Sequence, residues 1–330
     1  MFKKICIVGA GAIGGWIGAQ LAAQGHAVNV VARGATLQAL RAHGLRLREG
    51  QGEAEREQAF QVHAVEHAAE LGAQDLVIVA VKAPAMAAVA QAIGPLLGPQ
   101  TVVLTAMNGV PWWFLQGVVG PLQGRALDSV DPGGQIAQAI AASHVLGCVV
   151  HASCSVDAPG VIRHRNGRGL IVGEPAGGDS PRAQALVALL QAAGFEVTLS
   201  QQIQRDVWYK LWGNMTVNPV CAITGATADR VLDDALVRGF ISAVMLEARE
   251  IGARIGIPIH QEPQDRHAVT RKLGAFKPSM LQDVEAGRAV EIDALVTSVR
   301  ELGQLTGVAT PFTDVLLGLA RLHAQVRGLY

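Results

Sequence analysis

The run Gly9-Ala10-Gly11-Ala12-Ile13-Gly14 constrains this chain more than any other segment. Residues Lys4–Val8 before it read as a short buried strand, and a helix runs on from it through Gln24 until Gly25-His26 stops it. A second apolar strand, Val28–Ala32, follows. Strand, glycine turn, helix and strand within about thirty residues open a doubly wound α/β sheet. A bare GxGxxG match is weak, and the surrounding elements give it weight. Gly9 permits the tight turn, and Gly11 lets backbone approach a pyrophosphate. Gly14 lets the helix pack on the sheet with its N-terminal amides aimed at phosphate. Ala10, Ala12 and Ile13 complete a dinucleotide loop. The competing reading is a glycine-rich packing turn with no ligand.

Arg33 bears on which dinucleotide binds. An NAD site usually carries Asp or Glu at the end of the second strand, where it binds the ribose hydroxyls. Here Val28–Gly34 contains no acid, and Arg33 stands in that place. A guanidinium suits a 2′-phosphate in bidentate geometry, so NADP(H) is the expected cofactor; a solvated surface arginine is the alternative. Lys82 ends the predicted strand Leu76–Val81, and Asn108-Gly109 follows the strand Val102–Ala106. Strand ends of this kind are where such sheets bind ligands, although both could be plain loop residues.

Further strands are expected at Leu45–Arg48, Val145–Ser155, Gly169–Gly173 and Glu196–Leu199, with helices over Met86–Leu97 and Pro181–Ala193. The alternation predicts a parallel sheet with helices on both faces. Pro111–Ser143 reads as an elaborated connection on this first domain. After Gln201 strand signals fade, and breakers near Pro219, Pro258, Pro278, Gly287 and Gly307 divide the remainder into several helices. The expected domains are therefore a Rossmann domain at 1–200 and an all-α substrate and catalytic domain at 201–330.

Bulk properties narrow the partners. The 27 basic and 27 acidic residues cancel, which leaves no basic surface for nucleic acid and no acidic tail. Half of the 330 residues are apolar, enough for a large core. A homodimer is compatible with so apolar a chain. Cys6, Cys148, Cys154 and Cys221 form no CxxC pair or Cys/His metal spacing, and read as buried thiols of a reducing cytoplasm. Lys3 and Lys4 before the uncharged run Ile5–Gly25 imitate a signal peptide. Six glycines with Gln20 and Gln24 make that run a poor membrane helix, and it fits the phosphate loop in register. No other segment is a plausible membrane span. The expected location is cytoplasmic, with no metal.

The segment from Arg205 to Pro219 carries the chemistry of the second half. Lys210, Asn214 and Asn218 recur at i, i+4 and i+8, so a helix presents them on one face. One lysine flanked by amides in an otherwise uncharged stretch fits a partly desolvated proton donor with amides to orient a polar substrate. A snorkelling lysine beside two helix-face amides fits equally well. Ser279 lies near the N-cap of a predicted helix, where capping is its commoner role. Glu291 opens another helix, where acids often serve only the dipole.

Taken in order, GAGAIG, Arg33, Val81-Lys82-Ala83, Asn108-Gly109, KLWGNMTVNP and SMLQD…GR…EID resemble the ketopantoate reductase (2-dehydropantoate 2-reductase) family across nearly the whole chain. The resemblance implies a Rossmann domain followed by a helical domain like that of 6-phosphogluconate dehydrogenase, with the active site in the cleft between them. It implies NADPH-dependent reduction of a small-molecule 2-keto acid, 2-dehydropantoate to pantoate in pantothenate biosynthesis. Lys210 matches the family's general acid, Asn214 and Asn218 its substrate amides, and Ser279 a serine that holds substrate. Asn108 matches an asparagine beside the nicotinamide, where both ligands meet. Glu291 matches a glutamate that positions the cofactor, and Lys82 and Ser153 match cofactor contacts, Ser153 through its backbone.

Two departures bear on the substrate side. A further substrate-binding asparagine of some members falls near Ala228, where this chain has none, and the connection after Asn108 is longer than in compact members. A reductase of a different 2-keto acid or ketone therefore stays open, as does a non-catalytic NADP(H)-binding sensor.

Overall fold

The computed structural model describes residues 2–50 and 52–330. Within them the chain forms two compact units: Met1–Met107 with Gln135–Ile203, and Asn108–Gly134 with Gln204–Tyr330.

The first unit is built on β1 (Ile5–Val8), an entirely apolar strand that only a sheet interior can accommodate. Nine further strands complete the sheet: β2 (Val28–Val31), β3 (Leu45–Glu49), β4 (Arg56–Phe60), β5 (His63–Val65), β6 (Leu76–Val79), β7 (Val102–Ala106), β8 (Val145–Ala158), β9 (Val161–Gly173) and β10 (Glu196–Ser200). Their order is β4-β3-β9-β8-β7-β6-β1-β2-β5, and β10 joins β9. β1 lies between β2 and β6, parallel to both, so the chain reverses its direction of winding there. The expected parallel sheet is in fact mixed, because β8 and β9 pair as a long antiparallel hairpin and β4 pairs antiparallel with β3.

Helix α1 (Ala12–Ala23) is apolar except for Gln20, with Gly14–Leu21 buried. It packs against β1, β3, β8 and β9. A β-carbon on Gly14 would come within 2.1 Å of Gly9 O and 3.1 Å of Ile7 Cγ2, so only glycine permits that packing. Helices α2 (Gly34–His43), α3 (Met86–Ala92), α4 (Gln135–Ala139) and α5 (Pro181–Ala192) complete this unit. α3 stops at Ala92, short of the expected Leu97, and a 3₁₀ turn at Gly94–Leu96 follows it.

The second unit contains α6 (Ile203–Thr224), α7 (Ala228–Asp233), α8 (Ala235–Arg254), α9 (Pro263–Arg271), α10 (Ser279–Glu285), α11 (Ser298–Thr306) and α12 (Pro311–Val326), with a π-helical turn at Asp293–Thr297 before α11. α8 packs against α7, α9, α11 and α12, and Trp212 on α6 donates its Nε1 hydrogen to Met245 O on α8. Pro219, a breaker by local propensity, sits inside α6 rather than at its end. An internal proline forfeits one hydrogen bond and costs about 3 kcal/mol. Burial of Met215, Val217, Val220 and Cys221 around it outweighs that local cost.

The segment after Asn108 does not elaborate the first unit as expected; it belongs to the second. Trp112, Trp113, Phe114 and Leu115 are buried, and the Phe114 ring lies 5.8 Å from that of Trp208 on α6. Glu301 on α11 accepts the backbone N–H groups of Asp128 and Ser129, each at 2.9 Å. The first unit resumes at Gln135, and the second begins after Ile203 rather than after residue 200.

Candidate active site

At the carboxyl ends of β1, β2 and β6 the first unit forms an open crevice with a volume of about 340 Å³. Gly9, Ala10, Gly11, Arg33, Thr36 and Val81 are among its lining residues. This is the place in a doubly wound sheet where the winding reverses and two crossovers diverge to leave a crevice. Gly9 adopts φ +96°, a left-handed conformation that other residues rarely adopt. Gly11 caps α1 with no side-chain bond, and a β-carbon there would meet nothing within 4 Å. The first turn of α1 therefore presents bare amide donors, with no acid to repel a phosphate. Ala12 and Ile13 supply the first two of those amides.

Arg33 is exposed, caps α2, and makes no ion pair with any described residue. No acid lies in the first turn of α2. Thr36, one turn further on, lines the same cavity; its signal was its spacing from Arg33 at a helix start. The glycine cradle, the guanidinium and two acid-free helix starts fit a phosphorylated dinucleotide. Lys82 lies three residues beyond β6, half-buried, before a 3₁₀ turn at Ala83–Ala85. Ser153 is half-buried on β8, between two breaks in its register with β9. Such irregularities re-aim backbone groups out of the ladder.

In the second unit one uninterrupted helix, α6, carries Lys210, Asn214 and Asn218. Lys210 is half-buried, and its Nζ donates to Asn108 Oδ1 at 2.8 Å. A neutral carboxamide thus takes one of the three donors of this ammonium and orients it. Asn214 is half-buried and Asn218 buried. Neither carboxamide has a hydrogen-bond partner among the described residues, so both are available to a ligand.

Gly109 explains how Asn108 comes to be there. Its φ is +81°, and a β-carbon on it would lie 2.6 Å from Ala294 O. The backbone can therefore close onto the π turn, where Val110 N–H donates to Ala294 O at 2.8 Å. Glu291 is buried two residues before that turn. π turns recur at functional sites because they shift the ladder by one residue. The structure thus brings Lys210 and Asn108 into direct contact and docks the Asn108–Val110 segment on the element that follows Glu291. Ser279 is the first residue of α10 rather than its cap, a place taken by Pro278. It is exposed and makes no capping bond. Ala228 is fully buried and gives its N–H to Phe276 O, so this position offers substrate only a methyl group.

Other chemistry finds little support. Burial pushes the thiols of Cys6, Cys154 and Cys221 up to about 12, which leaves them unreactive near neutral pH. Among the described residues no cluster of His, Cys, Asp or Glu is arranged to hold a metal ion. Among the described residues no helix is long and apolar enough to cross a membrane.

Comparison with known proteins agrees with this geometry. Residues 5–177 match the family Ketopantoate reductase PanE/ApbA, and residues 202–324 match Ketopantoate reductase PanE/ApbA C terminal. A 2-dehydropantoate 2-reductase from Mesorhizobium japonicum is 45% identical over 328 residues, covering 99% of both chains. The crystal structure of a candidate ketopantoate reductase from Ralstonia solanacearum MolK2 superposes with a TM-score of 0.95, at 60% identity and complete coverage of both chains. A ternary structure of D-mandelate dehydrogenase with NADH and anilino(oxo)acetate has a TM-score of 0.82, over 99% of this chain and 100% of that one. At 21% identity that likeness extends to the fold alone. The fold is that of an NAD(P)-binding oxidoreductase, and the chain belongs to the ketopantoate reductase PanE/ApbA family.

Proposed function

We propose that this protein reduces a 2-keto acid, 2-dehydropantoate to pantoate, with NADPH, and that Lys210 is its general acid. The observation that carries the reading is the 2.8 Å hydrogen bond from Lys210 Nζ to Asn108 Oδ1, at the head of a helix row of unpartnered amides.

Gly9–Gly14 and the first turn of α1 hold the pyrophosphate, and Arg33 with Thr36 takes the 2′-phosphate. Lys82 and the backbone at Ser153 make further cofactor contacts, and Glu291 helps to position the nicotinamide end. When bound, the reduced nicotinamide supplies a hydride to the 2-keto carbon. Lys210 donates a hydrogen bond to the keto oxygen and passes a proton to it as negative charge develops there. Asn108 keeps the ammonium aimed, at the point where substrate and cofactor meet. Asn214, Asn218 and Ser279 bind the polar groups of the substrate and so fix the face it presents.

A different 2-keto acid or ketone is the second reading, and the buried methyl of Ala228 is the observation that favours it. A panel of purified 2-keto acids assayed with NADPH at the reduced-nicotinamide absorbance band separates the readings. The highest kcat/KM is expected for 2-dehydropantoate. A clear preference for another acid selects the second reading, and failure of every carbonyl substrate despite NADPH binding would leave an NADP(H) sensor.

The chain is also proposed to pair as a homodimer through its helical unit. Phe312, Val315, Leu319, Leu322 and Val326 form a stripe along α12, each 47% exposed or more, at the alternating three- and four-residue spacing that buries a seam against another helix.

A further inference from the structure

Arg266 on α9 lodges its guanidinium against the backbone of α6. A β-carbon on Gly213 would come within 2.7 Å of Nε and Nη2, so this glycine is what leaves room for the group. Glycine inside a helix is destabilising relative to alanine, and here that cost secures a seat for a cation. The guanidinium carbon lies 5.7 Å from the Tyr209 ring centroid. Arg266 therefore spans the Tyr209–Gly213 edge of α6, flanking the row that starts with Lys210 and Asn214.

The seat is polar and unsatisfied. Arg266 Nε is fully buried without a hydrogen-bond partner, and no carboxylate pairs with this side chain among the described residues. Neighbouring arginines of the same unit are satisfied: Arg238 donates to Leu232 O, Arg271 to Leu232 O and Asp233, and Arg288 to Asp283. Burial lowers the affinity of Arg266 for its proton. Arg266 is half-buried, and a donor shielded from water without a partner, as its Nε is, is unfavourable alone and becomes favourable once an anion reaches it.

We propose that Arg266 is a specificity-determining residue that pairs with the carboxylate of the 2-keto acid whose keto oxygen rests on Lys210. The proposal depends on the 2-keto acid reading above. Gly213, against which the guanidinium rests, lies three positions from Lys210, so the two positions stand about 5–6 Å apart on α6. The adjacent keto and carboxylate groups of a 2-keto acid can bridge a gap of that order with one hydrogen bond on each side. Lysine then serves the reacting oxygen and arginine the neighbouring charge. A planar fork matches a carboxylate where a single ammonium does not.

The test compares the best 2-keto acid substrate with its primary amide in wild type, Arg266→Met and Gly213→Ala. The second variant keeps the cation but fills its seat. Both are expected to raise KM for the acid roughly 10- to 100-fold while the amide changes little, so that the preference for acid collapses. Equal losses on acid and amide, or an unchanged preference, would overturn the proposal. If Arg266→Met does not fold, the same comparison on Gly213→Ala decides the matter. Oxamate, a 2-keto acid mimic, separates failure of this inference from failure of the assigned reaction. It is expected to raise the Tm of the wild type and not that of Arg266→Met, whatever the turnover. An equal rise in both would remove Arg266 from the site.

Discussion

The two units prepare for chemistry in opposite ways. In the first, the nucleotide cradle is almost all backbone: Gly9 turns, Gly11 leaves open space, and α1 presents bare amides. In the second, α6 contributes side chains, and its lysine is aimed by an asparagine 102 residues away in sequence. Backbone recognition depends on what is missing from a position, and side-chain recognition on what is present. The first should fail when atoms are added and the second when atoms are removed.

The largest effect should come from removing atoms in the second unit. Lys210→Ala is expected to lower kcat by about 100-fold or more while NADPH affinity, measured by fluorescence titration, persists. Near-wild-type turnover would take the general-acid role away from Lys210. Adding atoms in the first unit comes next. Gly11→Ala points a methyl group into the cradle and should weaken NADPH at least about 10-fold, with little change in the Tm of the ligand-free protein. A large loss of Tm would mean that Gly11 serves packing, as Gly14 does.

Arg33→Ala tests the charged side chain that the first unit is proposed to offer the 2′-phosphate. NADPH should weaken roughly 10- to 100-fold and NADH hardly at all. An unchanged preference would show that the 2′-phosphate is read elsewhere. Asn108→Ala leaves the lysine present but unaimed, so kcat should fall about 5- to 10-fold with KM nearly constant. A purely structural role would instead appear as lost Tm at unchanged kcat.

The smallest effect concerns Glu174. Burial alone would raise its carboxyl, but hydrogen bonds from Arg182 and Ser180 prevail and hold it below its ordinary value of 4.5. A carboxylate lowered on folding stabilises the native state above that value, and its contribution disappears as pH falls through the lowered one. Glu174→Gln should cost about 1–2 °C in Tm at pH 7, and the difference from wild type should shrink as the solution is acidified below 4.5. NADPH affinity should not move. If it does, the first unit depends on side chains more than its cradle implies.

Features set by neighbouring residues are legible in the sequence. The β1–turn–α1–β2 unit follows from apolar runs and glycine spacing, and the amide row on α6 from an i, i+4, i+8 period. Elements without apolar patterning are not. β4 is polar along Arg56–Gln58 and exposed through Ala59, and the first half of β9 carries Arg163, His164, Arg165 and Asn166, so neither shows the pattern of a buried strand. Pro219 misleads for the converse reason, since local propensity gives way to burial on all sides of α6. Arg266 offers no signal at all, because the pairing of an arginine with a glycine 53 positions earlier has no local trace.

By itself, then, the sequence determined that a glycine turn would stand between a buried strand and a helix and that a lysine would share a helix face with two amides, because both depend on short-range geometry. Tertiary structure decided that Asn108 aims that lysine, that the segment through Trp112 and Trp113 joins the second unit, and that Gly213 seats a cation. Those outcomes depend on which surfaces exclude water together, and that is settled only when distant parts of the chain pack.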